Sequence, residues 1–256
     1  MMTKIKNATE ILAMRESGQI LATILKHLGS EVKPGVSTKD LAVIAKRELS
    51  ALGGEAPFLG YQGFPDVICI SLNDEVVHGI PSPSRIIYDG DLVSLDFGVN
   101  YRGMITDSAV TLIAGKPKDK NHSQLLKYTK ASLVDGIAVV KDGVRVGDIG
   151  AAVQSVLDKQ GYGIVRDLVG HGVGHQLHED PNVPNYGRKN SGPWLSAGMT
   201  IAIEPMATMG SEKVMLDPDH WTVRTRDHSM SAHFEHTILI TETGSEVLTE
   251  LDVASE

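Results

Sequence analysis

The sequence has few cysteines and no long apolar segments, the features that crosslink a protein or anchor it in a membrane. A single cysteine, Cys69, among 256 residues excludes an intrachain disulfide and a cysteine-rich zinc finger, and is typical of a reducing cytosol. No apolar run approaches the roughly 18 residues of a membrane span, and residues 1–7 lack the apolar core of a signal peptide. The sequence therefore predicts a protein of the cytoplasm.

Positive charge is also scarce, because 24 Lys and Arg residues face 32 Asp and Glu residues and the formal net charge is −8. Proteins that bind nucleic acid or membrane surfaces rely on cationic contacts, so we expect neither specific DNA binding nor membrane association. The 41% of hydrophobic residues is ordinary for a globular protein. A chain of this length buries about 70–75% of its unfolded surface and can fold without covalent crosslinks.

Two parts of the chain resemble each other at an offset of 108 residues. This offset pairs residues 32–41 with 140–149, Gly90 with Gly198, and Asp96 with Glu204. Each half follows the order helix, glycine turn, helix, glycine stop, strand and carboxylate. Chance is the alternative, since the shared residue types are common. We favour a duplication, with one domain over residues 1–256 and halves at about 8–115 and 122–249.

Apolar periodicity predicts four helices and seven strands. The helices are expected at 8–29, 38–52, 122–140 and 148–160, and the strands at 67–71, 75–80, 91–100, 105–113, 164–169, 199–205 and 235–241. There is no βαβ alternation and no glycine-rich phosphate loop. Paired helices and grouped strands predict an α+β fold, with a curved antiparallel sheet covered by helices on one face.

Four acids lie in or beside apolar strands. Asp96 and Asp107 are 11 residues apart on adjacent predicted strands, and a hairpin there can bring both carboxylates to one face. Glu204 ends one apolar run and Glu235 begins another. Unpaired buried carboxylates would each cost several kcal/mol, and Lys and Arg are scarce beside these strands. Two divalent ions would neutralise the charges of the four carboxylates. The alternative is that these acids lie at strand ends and are solvated.

Histidine and glycine are concentrated in residues 168–179. His171 and His175 are four residues apart, as in zinc-binding helices, but the intervening glycines disfavour a helix, so we expect an extended or looped segment. His171 is a candidate metal ligand and His178 a candidate donor to an oxyanion. His78, before a turn, is a third candidate with a structural role as the alternative. Four other histidines are expected at the surface or in loops: His27, His122, His220 and His228.

Together these residues and their neighbours resemble the type I methionine aminopeptidases. The matching motifs are Asp96 with Asp107, residues 71–81, 170–174, 203–205, 229–233 and 234–237. The match runs over about residues 5–249. It implies the pita-bread fold, a pseudo-two-fold α+β domain, and an enzyme that removes the initiator methionine from nascent polypeptides when the second residue is small.

The resemblance also implies a metal centre. Asp107 and Glu235 would bridge two divalent ions, Asp96 would chelate one ion, and His171 with Glu204 would hold the other. Water activated between the ions would attack the first peptide bond, while the free α-amine of the substrate would bind a metal. Oxygen ligands with one imidazole favour Mn²⁺, Fe²⁺ or Co²⁺, with Zn²⁺ and Ni²⁺ as further candidates.

Catalytic and substrate-binding roles follow from the same resemblance. Glu204 would shuttle a proton, His178 would stabilise the tetrahedral oxyanion, and His78 would contact the substrate amide nitrogen. A methionine pocket, apolar and polarisable as suits a thioether, would be formed by Phe58, Tyr61, Phe64, Cys69 and Trp221. Nascent polypeptide ends would be the partners. The loop at 116–120 is a candidate for transient ribosome contact, with an ordinary solvated loop as the alternative, and the family suggests a monomer.

Two departures affect the expected pocket shape: Leu177 stands where the family commonly has phenylalanine, and His175 where it has arginine. The chain lacks the zinc-binding extension and the type II insertion of some relatives, which suggests a minimal bacterial-style form. Xaa-Pro aminopeptidases and dipeptidases share the fold and ligands, but usually carry a further amino-terminal domain, and only about 90 residues precede Asp96 here. A non-enzymatic pita-bread protein that binds partners should lack one or more ligands, whereas all five are present.

Overall fold

The computed structural model describes residues 3–251, which contain four α-helices and fourteen strands. The helices are α1 (Ala8–Glu31), α2 (Thr38–Ala51), α3 (Lys120–Ala138) and α4 (Val146–Gln160). The first seven strands are β1 (Cys69–Leu72), β2 (Glu75–Val77), β3 (Leu92–Tyr101), β4 (Met104–Ile113), β5 (Gly163–Ile164), β6 (Gly170–Gly172) and β7 (Glu179–Val183). The others are β8 (Thr200–Ile203), β9 (Met206–Thr208), β10 (Val214–Leu216), β11 (Val223–Thr225), β12 (Ser231–His233), β13 (His236–Ile240) and β14 (Ser245–Val247).

The four predicted helices are confirmed, with ends that agree within two residues. Local capping explains the starts of the first two. Asn7 accepts the amides of Thr9 and Glu10 at the start of α1, while the Glu10 carboxylate accepts the Asn7 amide. Ser37 and Asp40 form the same reciprocal capping box at α2.

All strand pairs within residues 3–251 are antiparallel, and the α+β fold class is confirmed. The pairs form four sheets, in the orders β1-β3-β4, β10-β11-β2, β12-β9-β5 and β14-β13-β8-β6-β7. The curved sheet is therefore divided into pieces, and an isolated bridge between Ala109 and Glu235 joins β4 to the start of β13. Apolar residues of α1 and α2 pack on β3, whereas those of α3 and α4 pack on β8 and β13.

Some of the predicted strands are shorter than expected. The strand expected at 164–169 is confined to Gly163–Ile164, and that expected at 75–80 ends at Val77. It ends there because His78 adopts φ +61°, a left-handed conformation that an extended strand does not contain. Seven strands in the second half were not predicted, each of three residues except β7, which has five: β6, β7, β9, β10, β11, β12 and β14.

One histidine prediction is wrong. His122 was expected at the surface or in a loop, but it is buried near the start of α3. Its side chain lies on the same helical face as the buried Leu125 and Thr129, at spacings of three and seven residues. Across residues 3–251, no helix combines the length and the apolar character needed to cross a bilayer.

Candidate active site

A cavity of about 210 Å³ lies where the two halves of the chain meet. Residues from β3, β4, β6 and the ends of β8 and β13 contribute polar groups to it. All twelve residues predicted as ligands, catalytic groups or pocket walls line this cavity. They are Phe58, Tyr61, Phe64, Cys69, His78, Asp96, Asp107, His171, His178, Glu204, Trp221 and Glu235.

Strand register brings the four acids together. Asp96 pairs with Ala109 and Gly98 pairs with Asp107, so Asp96 and Asp107 are diagonal neighbours on one face of the β3–β4 hairpin. In the second half, His236 pairs with Ile203. Glu235 lies directly before β13, and Glu204 lies directly after β8. The bridge from Ala109 to Glu235 then sets the two pairs of carboxylates against each other.

His171 completes a group of possible metal ligands. One ligand atom each from Asp107, His171 and Glu235 lie within 4.8 Å of one another, and His171 Nε2 is 3.5 Å from Glu204 Oε1. His171 Nδ1 lies 3.0 Å from the Gly172 carbonyl oxygen. An Nδ1–H donor to that oxygen leaves the Nε2 lone pair directed at the acids, which is the arrangement expected of a metal-binding imidazole.

In the described part of the chain, no lysine or arginine forms an ion pair with these four acids. Glu204 lies 3.5 Å from His171 and 3.8 Å from His233, and Glu235 lies 3.9 Å from His233. Within residues 3–251, Asp96 and Asp107 form no ion pair. Burial raises the pKa of Asp96 to about 7. It also raises the pKa values of Asp107, Glu204 and Glu235 well above their usual range, and the neighbouring carboxylates raise them further. Burial lowers the pKa of His171 to about 3, so this imidazole is neutral and offsets none of the charge.

Orphaned polar atoms in the same place fit a divalent metal. Glu235 Oε1 is buried and has no hydrogen-bond partner in the described structure. Buried carboxylate oxygens are normally paired, and a cation is the partner that four clustered carboxylates call for. The donor set of carboxylate oxygens and an imidazole nitrogen therefore fits divalent ions.

His233 is a site residue to which sequence reasoning assigned no role. It is 1% exposed, and neither ring nitrogen has a hydrogen-bond partner among the described residues. Its Nε2 lies 3.8 Å from Glu204 Oε2 and 3.9 Å from Glu235 Oε2. Burial, and then His78, lower its pKa to about 3. The signal was its position two residues before Glu235, which suggests the same side of an extended strand.

His178 and Tyr61 form a pair at the cavity wall. His178 Nδ1 lies 2.8 Å from the Tyr61 hydroxyl, and burial lowers the pKa of His178. When the Tyr61 hydroxyl donates to Nδ1 of the neutral imidazole, the ring proton lies on Nε2. Tyr61 was predicted as a pocket wall only; its hydroxyl also orients His178. Nearby, burial and His178 lower the pKa of His78 to about 4.

The predicted methionine pocket is one apolar cluster. Phe58, Phe64 and Cys69 are buried together, with Tyr61 and Trp221 packed against them, and Trp221 meets Phe64 edge to face with ring centres 5.1 Å apart. Burial, and then Asp96, raise the pKa of the Cys69 thiol, so it is a neutral wall. Six further wall residues were not assigned to the pocket from the sequence: Gln62, Val77, Leu168, Val169, Leu177 and Met206.

Gly98 is a point of close contact between the strand that carries Asp96 and the aromatic wall of the pocket. It lies opposite Asp107 on the β3–β4 hairpin. A Cβ at this position would be 2.8 Å from both Phe58 and Pro57 side-chain atoms. The missing side chain therefore lets the aromatic wall pack directly on the sheet beside the metal ligands.

The chain is similar to known peptidases over nearly its whole length. The profile of metallopeptidase family M24 matches residues 12–242. A methionine aminopeptidase of Mycoplasma capricolum subsp. capricolum is 46% identical over 251 residues, which are 98% of this chain and 100% of that relative. The crystal structure of a methionine aminopeptidase from Thermotoga maritima superposes with a TM-score of 0.96 at 41% identity, covering 98% of this chain and 100% of the other.

A different peptidase shares only the fold. An Xaa-Pro dipeptidase from Bacillus anthracis superposes with a TM-score of 0.78 at 24% identity, and the match covers 96% of this chain but 62% of that one. The resemblance inferred from the motifs is thus confirmed, and so is the pita-bread fold that it implied.

Proposed function

The chain belongs to metallopeptidase family M24, and as its function we propose the metal-dependent removal of the amino-terminal methionine from peptides and nascent polypeptides, with preference for a small second residue. Methionine aminopeptidase activity is favoured over Xaa-Pro peptidase activity because two relatives of that name are 46% identical over 98% and 96% of this chain. The observation that carries the mechanism is a cluster of four acids with which no described lysine or arginine pairs, set beside an apolar pocket.

Two divalent ions would be held by the five predicted ligands: Asp96, Asp107, His171, Glu204 and Glu235. When bound, such ions polarise the scissile carbonyl and lower the pKa of water into the neutral range. Mn²⁺, Fe²⁺ and Co²⁺ suit this mainly oxygen donor set, and Zn²⁺ and Ni²⁺ are further candidates. The presence of all five ligands also disfavours a non-enzymatic partner-binding protein.

Three side chains act on the peptide bond. Glu204, whose pKa is raised by burial and by Asp107 and Asp96, can accept a proton from the attacking water and return it to the leaving amide nitrogen. His178 donates from Nε2–H to the carbonyl oxygen as it gains negative charge. His78 contacts the substrate amide nitrogen. The apolar pocket binds the methionine side chain and excludes water from the reacting atoms.

We further propose one catalytic domain built from two related halves, about 8–115 and 122–249. The structure supports this at the offset of 108 residues, because Ser37 and Arg145 both precede a helix, and the carboxylates of Asp40 and Asp148 accept the backbone amides of these two residues. Three glycine pairs at this offset share positive φ: Gly35 with Gly143, Gly53 with Gly161, and Gly90 with Gly198. Residues 1–2 and 252–256 of the proposed domain lie outside the described residues.

Nascent polypeptide ends in the cytoplasm are the partners that this activity requires. We propose that the chain acts as a monomer. The loop at 116–120 is the candidate for transient contact with ribosomal RNA, because it carries three lysines. One of them, Lys118, is already paired with Asp91 at 2.8 Å.

A peptide assay tests the activity directly. Protein loaded with Mn²⁺ or Co²⁺ is expected to release methionine from Met-Ala-Ser on the order of 100-fold faster than from Met-Lys-Ser, because the larger second residue does not fit. Equal rates on the two peptides would contradict the specificity, and cleavage confined to Xaa-Pro peptides would support the prolidase alternative. In the same assay, Glu204→Gln should retain the fold but lose most turnover; near-normal turnover would remove Glu204 from the mechanism.

A further inference from the structure

An ion pair sealed from solvent lies behind the loop that carries His171 and His178. Lys6 Nζ is 3.2 Å from Glu179 Oε2, and the two side chains are 0% and 5% exposed. Neither residue lines the cavity. Removing two charges from water offsets much of their attraction, so a buried ion pair is weak support for stability. A different role has to be considered for these two residues.

Glu179 closes the turn that ends at His178. Its Oε1 atom accepts the backbone amides of His175 at 2.8 Å and Gln176 at 3.0 Å. Burial pushes the pKa of Glu179 upward, but the Thr3 hydroxyl, the Lys6 ammonium and the Gln176 amide outweigh it and hold the pKa below its usual range. An ionised carboxylate therefore fixes the backbone immediately before His178 with charge-assisted hydrogen bonds.

Lys6 attaches this turn to the amino-terminal segment. Its ammonium group donates to Thr3 Oγ1 at 2.6 Å as well as to Glu179. The Thr3 amide donates to the Asp180 carbonyl, and the Lys6 amide donates to the Gly198 carbonyl. The lysine stem also packs under the loop, since a Cβ on Gly174 would lie 2.5 Å from Lys6 Cε.

We propose that Lys6 and Glu179 are positioning residues that fix the His178 imidazole against the substrate carbonyl oxygen, which makes the amino-terminal segment part of the active site. This inference rests on the proposed role of His178. The Tyr61 hydroxyl sets the rotation of the imidazole ring, but the backbone that carries the ring is set by the turn. Misplacement of a catalytic group by about 1 Å can lower the rate about 100-fold.

Lys6→Met in the metal-loaded full-length protein tests the proposal. We expect kcat on Met-Ala-Ser to fall about 10- to 100-fold, with KM within about threefold of wild type, because the pocket and the ligands are untouched. Isothermal titration with Mn²⁺ should give unchanged affinity and stoichiometry. Lys4→Met is the matched control: it removes the same charge from the same segment at an exposed side chain and should change kcat less than about twofold.

A double-mutant cycle separates positioning from general stability. If Lys6 acts through His178, then Lys6→Met should have no further effect in a His178→Ala background. An equal fold-loss in both backgrounds, or weakened Mn²⁺ binding, would overturn the proposal. Should Lys6→Met not fold, Glu179→Gln replaces it in the cycle with the same expected and contradicting results, and Lys6→Arg should recover most of kcat.

Single variants distinguish the proposed role of His178 from the positioning role of Lys6 and Glu179. If His178→Ala alone leaves kcat at the wild-type value, the proposed role of His178 is wrong. If His178→Ala is impaired but Lys6→Met and Glu179→Gln are not, the role of His178 stands and the positioning role of this ion pair is wrong.

Discussion

Two groups of acids in the fold differ in how their charge is balanced. The cavity acids are Asp96, Asp107, Glu204 and Glu235. The arginine cluster is Asp74, Glu75, Asp217, Arg85 and Arg224. In the arginine cluster, Arg224 lies 2.9 Å from Asp74 and 2.7 Å from Asp217, and Arg85 pairs with Glu75. Hydrogen bonds to Asp217 and then Asp74 raise the pKa of Arg224.

The difference shows which group of acids obtains its positive countercharges from the described residues. The arginine cluster contains its own cations with bidentate geometry, and its acids need nothing from solution. Burial raises the pKa of Glu75 as well, but Arg85 and Arg224 pair with it. The cavity acids combine raised pKa values with an orphaned oxygen on Glu235 and have no arginine or lysine partner among the described residues, so they need cations that these residues do not supply. We therefore assign the arginine cluster to stability and the cavity acids to metal binding.

We expect the greatest loss of activity when an amide replaces one of the cavity acids, and no loss of metal binding when an amide replaces an acid of the arginine cluster. Asp107→Asn should lower kcat/KM at least about 1000-fold, because metal catalysis contributes several kcal/mol and each 1.4 kcal/mol is tenfold. Asp217→Asn removes an acid from the arginine cluster and should leave Mn²⁺ binding intact. Metal content measured beside peptide turnover checks both; loss of metal from Asp217→Asn would remove the distinction.

A second test compares a histidine of the cavity that holds the acids with a histidine that contacts the arginine cluster. His178→Ala should lower kcat about 100- to 1000-fold, the effect of removing one oxyanion donor, with metal content unchanged. His228 lies 2.7 Å from Asp74 in the arginine cluster, and His228→Ala should leave kcat within about twofold. Steady-state kinetics on Met-Ala-Ser decides; similar losses in both variants would contradict the assignment.

The wall beside the cavity acids offers a smaller effect. Gly98→Ala places a Cβ against Phe58 and Pro57, so the pocket has to adjust while the ligands keep their places. We expect KM to rise about tenfold, in line with the 1–3 kcal/mol cost of overpacking, with little change in metal affinity. A variant that loses metal but keeps its KM would show that the wall and the ligand group are not separate.

The smallest effect is a pH dependence of the metal-free protein. Its cavity carboxyls have native pKa values above those of the unfolded chain, so the native state binds more protons and stability falls as pH rises through the native values. Below about pH 6.5, the lowered pKa values of His78, His171 and His233 act in the opposite direction. The fall should therefore appear above pH 6.5.

Between pH 6.5 and 8, each carboxyl that is still protonated in the native state should reduce the free energy of unfolding by about 1.4 kcal/mol per pH unit. That corresponds to a few degrees in Tm for a chain of this size. Thermal unfolding with chelator and with saturating Mn²⁺ measures it. The metal-loaded protein should show no such fall, and a flat profile without metal would indicate that the cavity acids are already ionised and compensated.

Local signals explain how far the sequence predicted the fold. Helix α2 was predictable because the signals for its start and end are local. The capping box of Ser37 and Asp40 lies at its start, and Gly53 follows shortly after its last residue. The hairpin of Asp96 and Asp107 was predictable from two alternating ten-residue strands. Strands such as β9 and β12 were missed because three residues carry no detectable period, and each is defined by a partner far along the chain.

The site was predictable where a motif carried it and not where a distant contact did. The twelve predicted residues that line one cavity could be selected from the sequence because their motifs resemble those of a known family. His233 was missed because its orphaned nitrogens are a property of packing around Glu204 and Glu235. Lys6 was missed because a lysine is expected at the surface, and its partner Glu179 is 173 residues away.

The most direct test of the account is anomalous diffraction from crystals grown with Mn²⁺. We predict two manganese peaks about 3.5–4 Å apart among Asp96, Asp107, His171, Glu204 and Glu235, and none at the arginine cluster. A cavity without anomalous density at saturating Mn²⁺, or manganese bound only at other acids, would contradict the claim that these carboxylates are completed by metal.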